Sequence, residues 1–337
     1  MSHKKMKDTA SRDDVRAIVQ PDDGVEPIRA LIASAKKELL LKQFTFTEPH
    51  LIEAVIDRHR QGVDVRVLLN PKNTEGLRAN DETYKTLHAA KVPVEWTHER
   101  FAVTHEKSLV IDRAKALIAT FNLAPKYLSE TRDYGVLSEQ AGQVKEIVAC
   151  FEADWRRAEF TPREGTGLLW SVANAREVMS SFIDGAKETL YVQHPKFVDA
   201  VILERLVRAH ERGVKVHVLC GGRHGIKAHD LLDSMASLRI LDWAGVKLRR
   251  QKQPTLHAKL LIADDRRSLL GSMNIHRDAF DRRRELGIHS DAPAVVARLL
   301  ETFHADWQRA HPYEAPDPLA VAHDPDELPN DPDFVHG

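Results

Sequence analysis

Apolar and polar residues follow two periods along the first half of the chain, one typical of strands and one of helices. Residues 63–69 alternate apolar and polar side chains as a strand does, and the apolar run 38–46 predicts a buried strand. Gly62 follows a helical pattern at 50–61, where glycine suits the left-handed position that ends a helix. The remaining predicted elements are helices near 27–37, 79–90 and 141–157, and strands at 92–96, 106–112 and 116–121. Strands that alternate with helices indicate a layered α/β fold.

The second half of the chain repeats the first. Three segments recur at spacings of 150 to 152 residues: 35–40 as 185–190, 62–68 as 213–219, and 151–158 as 303–310. This period is far too long for a solenoid and indicates duplication of a whole domain. We therefore predict a polar N-terminal segment at 1–20, a first lobe at 21–162 and a second lobe at 163–311. Residues 312–337 contain seven acids and no lysine or arginine, and we expect a disordered acidic tail there.

Composition narrows the class of protein. The 337 residues are 42% hydrophobic and 29% charged, as in ordinary globular proteins. Lys+Arg 49 against Asp+Glu 50 gives a net charge of −1, which disfavours a broad basic surface that binds nucleic acid. The two cysteines, Cys150 and Cys220, are too few for a disulfide framework and fit a reducing compartment. No stretch approaches the ~20 apolar residues of a membrane span, so we expect a cytoplasmic protein, with peripheral contact at a membrane surface left open.

One polar motif occurs once in each half. A histidine is followed by a lysine two positions later and an aspartate seven positions later, at His105, Lys107 and Asp112. The second copy is His257, Lys259 and Asp264. An asparagine follows each histidine by seventeen residues and an acid by twenty-eight, which gives Asn122, Asp133, Asn274 and Glu285. A single His-x-Lys pair is an ordinary surface feature, but two copies with matched trailing residues predict one active site built from two similar halves.

The spacing of these residues favours an anion as the ligand. Residues two apart in a strand face the same side, so each histidine lies beside its lysine, Thr120 beside Asn122, and Ser272 beside Asn274. Two such sets that face each other surround a tetrahedral phosphodiester with ammonium, hydroxyl and amide groups. We predict that Thr120 and Ser272 bind substrate. No metal or other cofactor is required, since the lysines supply the positive charge.

Two histidines can divide acid–base and covalent catalysis between them. One neutral imidazole attacks phosphorus, while the other, protonated, donates to the departing oxygen. Histidine suits both roles because its ordinary pKa of about 6.5 lies near neutrality. Asp133 and Glu285 can each accept the second ring N–H of a histidine, which sets its tautomer and stabilises its positive charge. Spacing alone does not decide which histidine is the nucleophile.

These residues resemble the phospholipase D superfamily, whose signature is His-x-Lys-x4-Asp followed by a Gly-Ser-x-Asn-like segment. Residues 271–274 read Gly-Ser-Met-Asn, a full match, whereas residues 119–122 read Ala-Thr-Phe-Asn and keep only the hydroxyl and the amide. The resemblance spans about residues 24–310 and implies a duplicated α-β-α sandwich of two lobes with pseudo-twofold symmetry. It also implies a covalent phosphohistidine intermediate, with His105 as the nucleophile and His257 as the acid.

Other polar residues near the motifs have competing interpretations. Asp112 and Asp264 precede turn-like residues, so we expect them to bond local backbone rather than to transfer protons. The arginine run at 282–284 is either a solvated face or a guide for phosphate, and we assign substrate binding to Arg284. Three residues before the first motif are expected to line its entrance: Trp96, His98 and Phe101.

Three functions are compatible with the sequence. The leading one is a phosphodiesterase or phosphatidyltransferase of phospholipase D type that acts on phospholipid headgroups, with water or an alcohol as acceptor. The alternative is a nuclease that uses the same site on DNA or RNA, which the neutral net charge disfavours. The third is an inactive module that kept a phosphate pocket, and the intact motif in both halves argues against it.

Overall fold

The computed structural model describes residues 15–221 and 228–314. The first lobe contains β1 (Val15–Gln20), α1 (Glu26–Ala33), β2 (Glu38–Gln43), α2 (Pro49–Arg60), β3 (Asp64–Leu69), α3 (Asp81–Ala89), β4 (Val94–Trp96), β5 (Lys107–Ile111), β6 (Lys115–Ala119), α4 (Pro125–Ser129), β7 (Thr131–Ser138) and α5 (Ala141–Trp155). The second lobe contains β8 (Leu168–Trp170), α6 (Ala175–Asp184), β9 (Thr189–His194), α7 (Ala200–Glu211), β10 (Lys215–Cys220), α8 (Ala228–Trp243), β11 (Lys247–Arg250), β12 (Thr255–Leu256), β13 (Leu260–Ala263), β14 (Arg267–Gly271), α9 (Arg277–Asp281), β15 (Leu286–Ser290), α10 (Pro293–Arg309) and β16 (His311–Pro312).

The two lobes are built on the same mixed sheet. Its strand order in the first lobe is β1-β7-β6-β5-β2-β3-β4, and the second lobe repeats it as β8-β15-β14-β13-β9-β10-β11, with β16 added beyond β11. Strands β2, β3 and β4 of the first lobe are parallel and are joined through helices, as are β9, β10 and β11 of the second. The remaining neighbours in each sheet order pair antiparallel. The predicted duplicated α/β sandwich is confirmed.

Three hydrophobic cores hold the layers together. Helices α1, α2 and α3 cover the outer face of the first sheet, and α6, α7 and α8 cover the outer face of the second. The third core lies between the lobes, where α5 and α10 pack with residues from both sheets. Strand β2 shows why the sheets are internal, since five of its six residues are buried. Because residues of both lobes contribute to the third core, the two lobes pack together through a shared hydrophobic cluster.

The ends of the lobes differ from the sequence-based boundaries. Residues 15–20, placed in the polar N-terminal segment, form β1, which pairs antiparallel with β7 along its whole length. The pattern missed β1 because the detected repeat begins only near residue 24. Residues 311–312 pair with β11, and the predicted acidic tail beyond residue 314 lies outside the described residues. Within the described ranges, no helix combines the length and the apolar character needed to cross a membrane.

Short strand pairings cross from one lobe to the other and position the motifs. Strand β12, which precedes the second motif, pairs in parallel with the start of β7 in the first lobe. In the same way, Thr104, which precedes the first motif, forms an isolated parallel bridge with Arg284 before β15. Each His-x-Lys segment is therefore fixed against the acid-bearing strand of the opposite lobe.

Candidate active site

Backbone hydrogen bonds set the position of both motifs at the lobe interface. The backbone N–H groups of His105 and Glu106 donate to the carbonyl of Arg284, at 2.8 and 3.0 Å. Those of His257 and Ala258 donate to the carbonyl of Arg132, at 3.2 and 2.8 Å. The interface therefore holds each histidine beside the residue that precedes the other lobe's acid.

Each histidine pairs with the acid of the opposite lobe. Nδ1 of His105 lies 2.9 Å from Oε2 of Glu285, and Nδ1 of His257 lies 2.8 Å from Oδ1 of Asp133. A carboxylate at Nδ1 accepts the proton there and leaves Nε2 as the reactive nitrogen. Within the described ranges, Nε2 of His105 has no hydrogen-bond partner. The spacing predicted a histidine–acid contact, but not that the contact would cross between lobes.

The two motif lysines lie beside their own histidines. Nζ of Lys107 donates to the carbonyl of His105 at 2.7 Å, and Nζ of Lys259 donates to the carbonyl of His257 at 2.5 Å. Nζ of Lys259 also lies 3.1 Å from Nε2 of His257. Burial lowers the pKa of Lys259 to about 8 and that of Lys107 well below its usual range. Both lysines are thus buried beside their motif histidines, and Lys259 also reaches the ring nitrogen of its own.

Charges of the two lobes act on one another within a single site. Burial lowers the pKa of His105 well below its usual range, and the charges of Lys107 and Lys259 lower it further. Burial also lowers the pKa of His257 to about 4, although Asp133 raises it. Because Lys259 belongs to the second lobe yet acts on His105 of the first, the charged groups of the two motifs lie close enough to interact across the lobe interface.

The two acids differ in their surroundings. Asp133 accepts hydrogen bonds from the hydroxyls of Thr120 and Thr131 at 2.5 and 2.6 Å, in addition to that of His257. Burial raises the pKa of Asp133, but the charge and the hydrogen bond of His257 outweigh it, so this pKa lies below its usual value. For Glu285 burial prevails and raises the pKa to about 7. The His257 partner is therefore firmly ionised, whereas the His105 partner titrates near neutrality.

The two hydroxyls assigned to substrate binding have other contacts. Thr120 donates to Asp133, and its oxygen accepts the backbone N–H of Tyr134 at 2.8 Å. Ser272 accepts the backbone N–H of Leu286 at 3.1 Å, and its hydrogen bond lowers the pKa of Glu285. Both residues follow the ends of their strands, where the chain turns toward the neighbouring acid. Thr120 thus contacts its acid directly, whereas the hydroxyl of Ser272 bonds the backbone of Leu286, the residue after Glu285.

The motif asparagines lie in the same buried region. Asn122 and Asn274 are 1% and 3% exposed. Both amide atoms of Asn122 have no hydrogen-bond partner in the part of the chain that the structure describes. A buried amide is normally satisfied, so Asn122 has donor and acceptor groups available for a ligand.

Arg284 does not lie in this site, contrary to the sequence-based assignment. Its guanidinium donates to Asp154 of α5 at 2.7 Å and stacks over Phe101 at 4.3 Å from the ring centroid. Asp154 also accepts from Lys42 at 2.7 Å, within a buried cluster that includes Glu106. Glu106, Cys150 and Asp154 come close enough to share a metal ion, but the Lys42 ammonium contacts all three. The cluster joins the lobes as an ion-pair network.

The site contains residues that the sequence analysis did not assign. Phe44 packs edge-on against His105 with ring centroids 4.7 Å apart, and Tyr127 packs against His257 at the same separation. The charges of Lys196 and Arg283 lower the pKa of Lys259 beyond the effect of burial. Arg283 lies two residues before Glu285 in a bend that precedes β15, so strand alternation gave no signal for it.

The motif aspartates support the strands that carry the site. Asp112 accepts the backbone N–H groups of residues 36–38 at 2.7–3.1 Å, and Asp264 accepts those of residues 187–189 at 2.8–3.2 Å. We expected bonds to local backbone, but these partners lie about 75 residues away in sequence. The antiparallel pairing of β2 with β5 places the end of one strand beside the start of the other.

A cleft leads toward the first motif. It has a volume of about 390 Å³, and its lining includes Lys72, His98, Phe101 and Thr104. Trp96 does not line this cleft, because its ring stacks on Tyr84 with centroids 4.3 Å apart. Two of the three expected entrance residues therefore line a cleft beside Thr104, the residue before His105.

Comparison with known proteins identifies the family. Residues 28–155 and 179–307 match the family described as "Cardiolipin synthase, PLD-like domain", once in each lobe. The chain belongs to this family, and so to the phospholipase D superfamily. The two matched segments contain the crossed histidine–acid pairs, so the family's duplicated domain supplies both halves of the site.

Similarity to individual members is distant. The chain is 24% identical to the cardiolipin synthase of Clostridium perfringens (strain SM101 / Type A) over 294 residues, which cover 76% of this chain and 61% of that protein. The chain thus spans about three fifths of that relative. Its fold is similar to that of phosphatidylserine synthase from Haemophilus influenzae Rd KW20, with a TM-score of 0.72, 15% identity and 92% coverage of both chains. Polyphosphate kinase from Porphyromonas gingivalis also shares the fold, with a TM-score of 0.70 and 16% identity over 87% of this chain and 47% of that one.

Proposed function

We propose that the protein transfers phosphatidyl groups between alcohols by a phospholipase D-type reaction on phospholipid phosphodiesters. The observation that carries this proposal is the pair of histidine–acid contacts that cross between the lobes, which supports a site shared by the two imidazoles. Membership of a family described as cardiolipin synthase supports a phospholipid as the substrate and an alcohol as the acceptor. Since the substrate is a membrane lipid, the reaction takes place at a membrane surface.

The first step forms a covalent intermediate. Nε2 of His105 attacks phosphorus, the bond from phosphorus to the leaving oxygen breaks, and protonated His257 gives its proton to that oxygen. The diester anion offsets the lysine charge around His257, so substrate binding raises the pKa of that imidazole and favours its protonation. Asp133, which is anionic, stabilises the resulting imidazolium.

The second step releases the product. An alcohol, or water, gives its proton to neutral His257 and attacks phosphorus, and the bond from phosphorus to Nε2 of His105 breaks. The acceptor therefore decides between transfer and hydrolysis. In this proposal Lys107, Lys259 and Asn122 hold the nonbridging oxygens through both steps, which the burial of all three and, among the described residues, the free amide of Asn122 support.

A trapping experiment tests this proposal. The full chain is mixed for milliseconds with phosphatidylglycerol labelled in its phosphate, in vesicles, and then denatured in alkali, where a phosphoramidate survives. We expect a labelled protein that loses its label in acid. His105→Ala should give no label, whereas His257→Ala should retain a slowly formed one, and exposed His50, changed to alanine, serves as the matched control. Label that still forms in His105→Ala contradicts the assignment of the nucleophile.

A substrate panel tests the lipid assignment separately. Phosphatidylglycerol, phosphatidylcholine, single-stranded DNA, double-stranded DNA and RNA are compared at equal phosphodiester concentration. We expect turnover of the glycerophospholipids and formation of a transfer product when glycerol is added. Cleavage of nucleic acid alone would identify a nuclease and overturn the lipid assignment.

A further inference from the structure

Arg283 is a buried cation with unused donors. The residue is 5% exposed, and its Nε and Nη1 have no hydrogen-bond partner among the residues that the structure describes. Arginine stays charged even when buried, and leaving such donors unsatisfied is costly. A site that keeps a buried guanidinium in this state is suited to an anionic ligand.

The charge of Arg283 reaches the reacting groups of both lobes. Its charge lowers the pKa of His105, by less than burial and the charges of Lys107 and Lys259 do. Its charge also lowers the pKa of Lys259, as burial and the charge of Lys196 do, whereas the nearby carboxylates raise that pKa. It acts in the opposite sense on Glu285, where it limits the increase in pKa that burial causes. The guanidinium therefore lies within the shared site.

The backbone of Arg283 is held in place. Its carbonyl accepts the hydroxyl of Ser171 at 2.5 Å, and its N–H donates to the carbonyl of Asp278 at 3.0 Å. The next residue, Arg284, is anchored to Val103 of the first lobe by a backbone hydrogen bond of 3.0 Å. The base of the Arg283 side chain is therefore fixed while the donor atoms remain available.

The two lobes differ at this position. Thr131 occupies the equivalent place in the first lobe, and its hydroxyl donates to Asp133 at 2.6 Å. The first lobe thus uses the position to orient its acid, whereas the second lobe places a cation there. The duplicated site is asymmetric, and the additional cation acts on the His105 side.

We propose that Arg283 binds a nonbridging oxygen of the substrate's phosphoryl group, donating from one of the two nitrogens without a partner among the described residues, Nε or Nη1, and so stabilises the negative charge that develops when His105 attacks. This role rests on the proposed function, because it specifies how the same site holds its phosphodiester. A hydrogen bond from a guanidinium to a phosphate oxygen is charge-assisted and therefore stronger than a bond between neutral groups.

Two variants of the full chain test this role in turnover. Arg283→Gln should lower kcat/KM for phosphatidylglycerol at least 100-fold, and Arg283→Lys should recover part of that loss. Arg282→Gln is the matched control, because the Arg282 side chain is 67% exposed, and it should be unchanged. Wild-type kcat/KM in Arg283→Gln would overturn the proposal.

Stability and anion binding separate this role from a structural one. Because the substitution removes a buried charge with unsatisfied donors, Arg283→Gln should melt at the same temperature as the wild type or higher. Inorganic phosphate, measured by calorimetry, should bind the variant at least 10-fold more weakly than the wild type. A lower Tm with unchanged phosphate affinity would assign Arg283 a structural role and overturn the proposal.

The same binding measurement separates this proposal from the proposed function. If the wild-type protein fails to turn over any phospholipid, but phosphate binding still depends on Arg283, the anion role is supported and the lipid assignment fails. If the wild type turns over phospholipid and Arg283→Gln has the same phosphate affinity and kcat/KM as the wild type, the lipid assignment is supported and the role of Arg283 fails.

Discussion

Oε2 of Glu285 lies 2.9 Å from Nδ1 of His105, although 180 residues separate the two and they belong to different lobes. The reciprocal contact joins His257 to Asp133. Neither lobe therefore contains a complete histidine–acid pair. Catalysis of the kind proposed depends on the interface as well as on the motifs.

The two acids should affect different chemical steps. Asp133→Asn weakens His257 as the general acid, so we expect about 10³-fold slower turnover of a lipid with an alkoxide leaving group. A p-nitrophenyl diester should be little affected, because its leaving group needs no proton. Glu285→Gln weakens the nucleophile and should slow both substrates. Measuring kcat/KM for the two substrates checks this, and the opposite pattern would make His257 the nucleophile.

The pH dependence of kcat/KM should be bell-shaped, with limbs near pH 7 and pH 8. Below about 7, protonated Glu285 donates to Nδ1 of His105 and forces the ring proton onto Nε2, so the nucleophile is lost as the pH falls. Above about 8, Lys259 loses the charge that holds phosphate, so activity falls as the pH rises. Lys259→Arg should remove the alkaline limb and leave the acid limb. A flat wild-type profile from pH 6 to 9 would contradict both assignments.

The raised pKa of Glu285 also makes stability depend on pH. The folded protein holds this proton up to about pH 7, whereas the unfolded chain releases it near 4.5, so this contribution to stability is lost as the pH rises through that window. The difference in Tm between Glu285→Gln and the wild type should therefore be more positive at pH 8 than at pH 5. Asp133→Asn is the control: the pKa of Asp133 is lowered, so its Tm difference should not vary between these pH values.

The ion pairs that join the lobes should be essential for stability. Arg284 pairs with Asp154 and Arg132 with Asp306, each linking an arginine to the last helix of the opposite lobe. Asp154→Ala leaves buried Lys42 and Arg284 without their shared acid, which should cost about 3–5 kcal/mol in the free energy of unfolding. Glu204→Gln removes an exposed pair on α7 and should cost less than ~1 kcal/mol. Equal losses in urea denaturation would show that the buried pair is not structural.

Local pattern was sufficient for most of the fold. The apolar run that became β2 and the alternation that became β3 depend only on which face of a strand is buried, so both were predicted near their observed bounds. Strand β1 was missed because it precedes the detectable repeat. The sequence could not show that Arg284 pairs with Asp154 and stacks over Phe101, because both contacts join the second lobe to the first.

The sequence by itself determined the duplication, the α/β class and the paired motif, because equal spacing and strand periodicity are properties of the local chain. Only the tertiary structure decided which acid contacts which histidine, and that the Thr120 hydroxyl donates to Asp133. The reason is that the segment before each motif pairs with the opposite lobe's strand. Such a contact depends on how the two sheets pack, and identical spacing in the two halves carries no information about it.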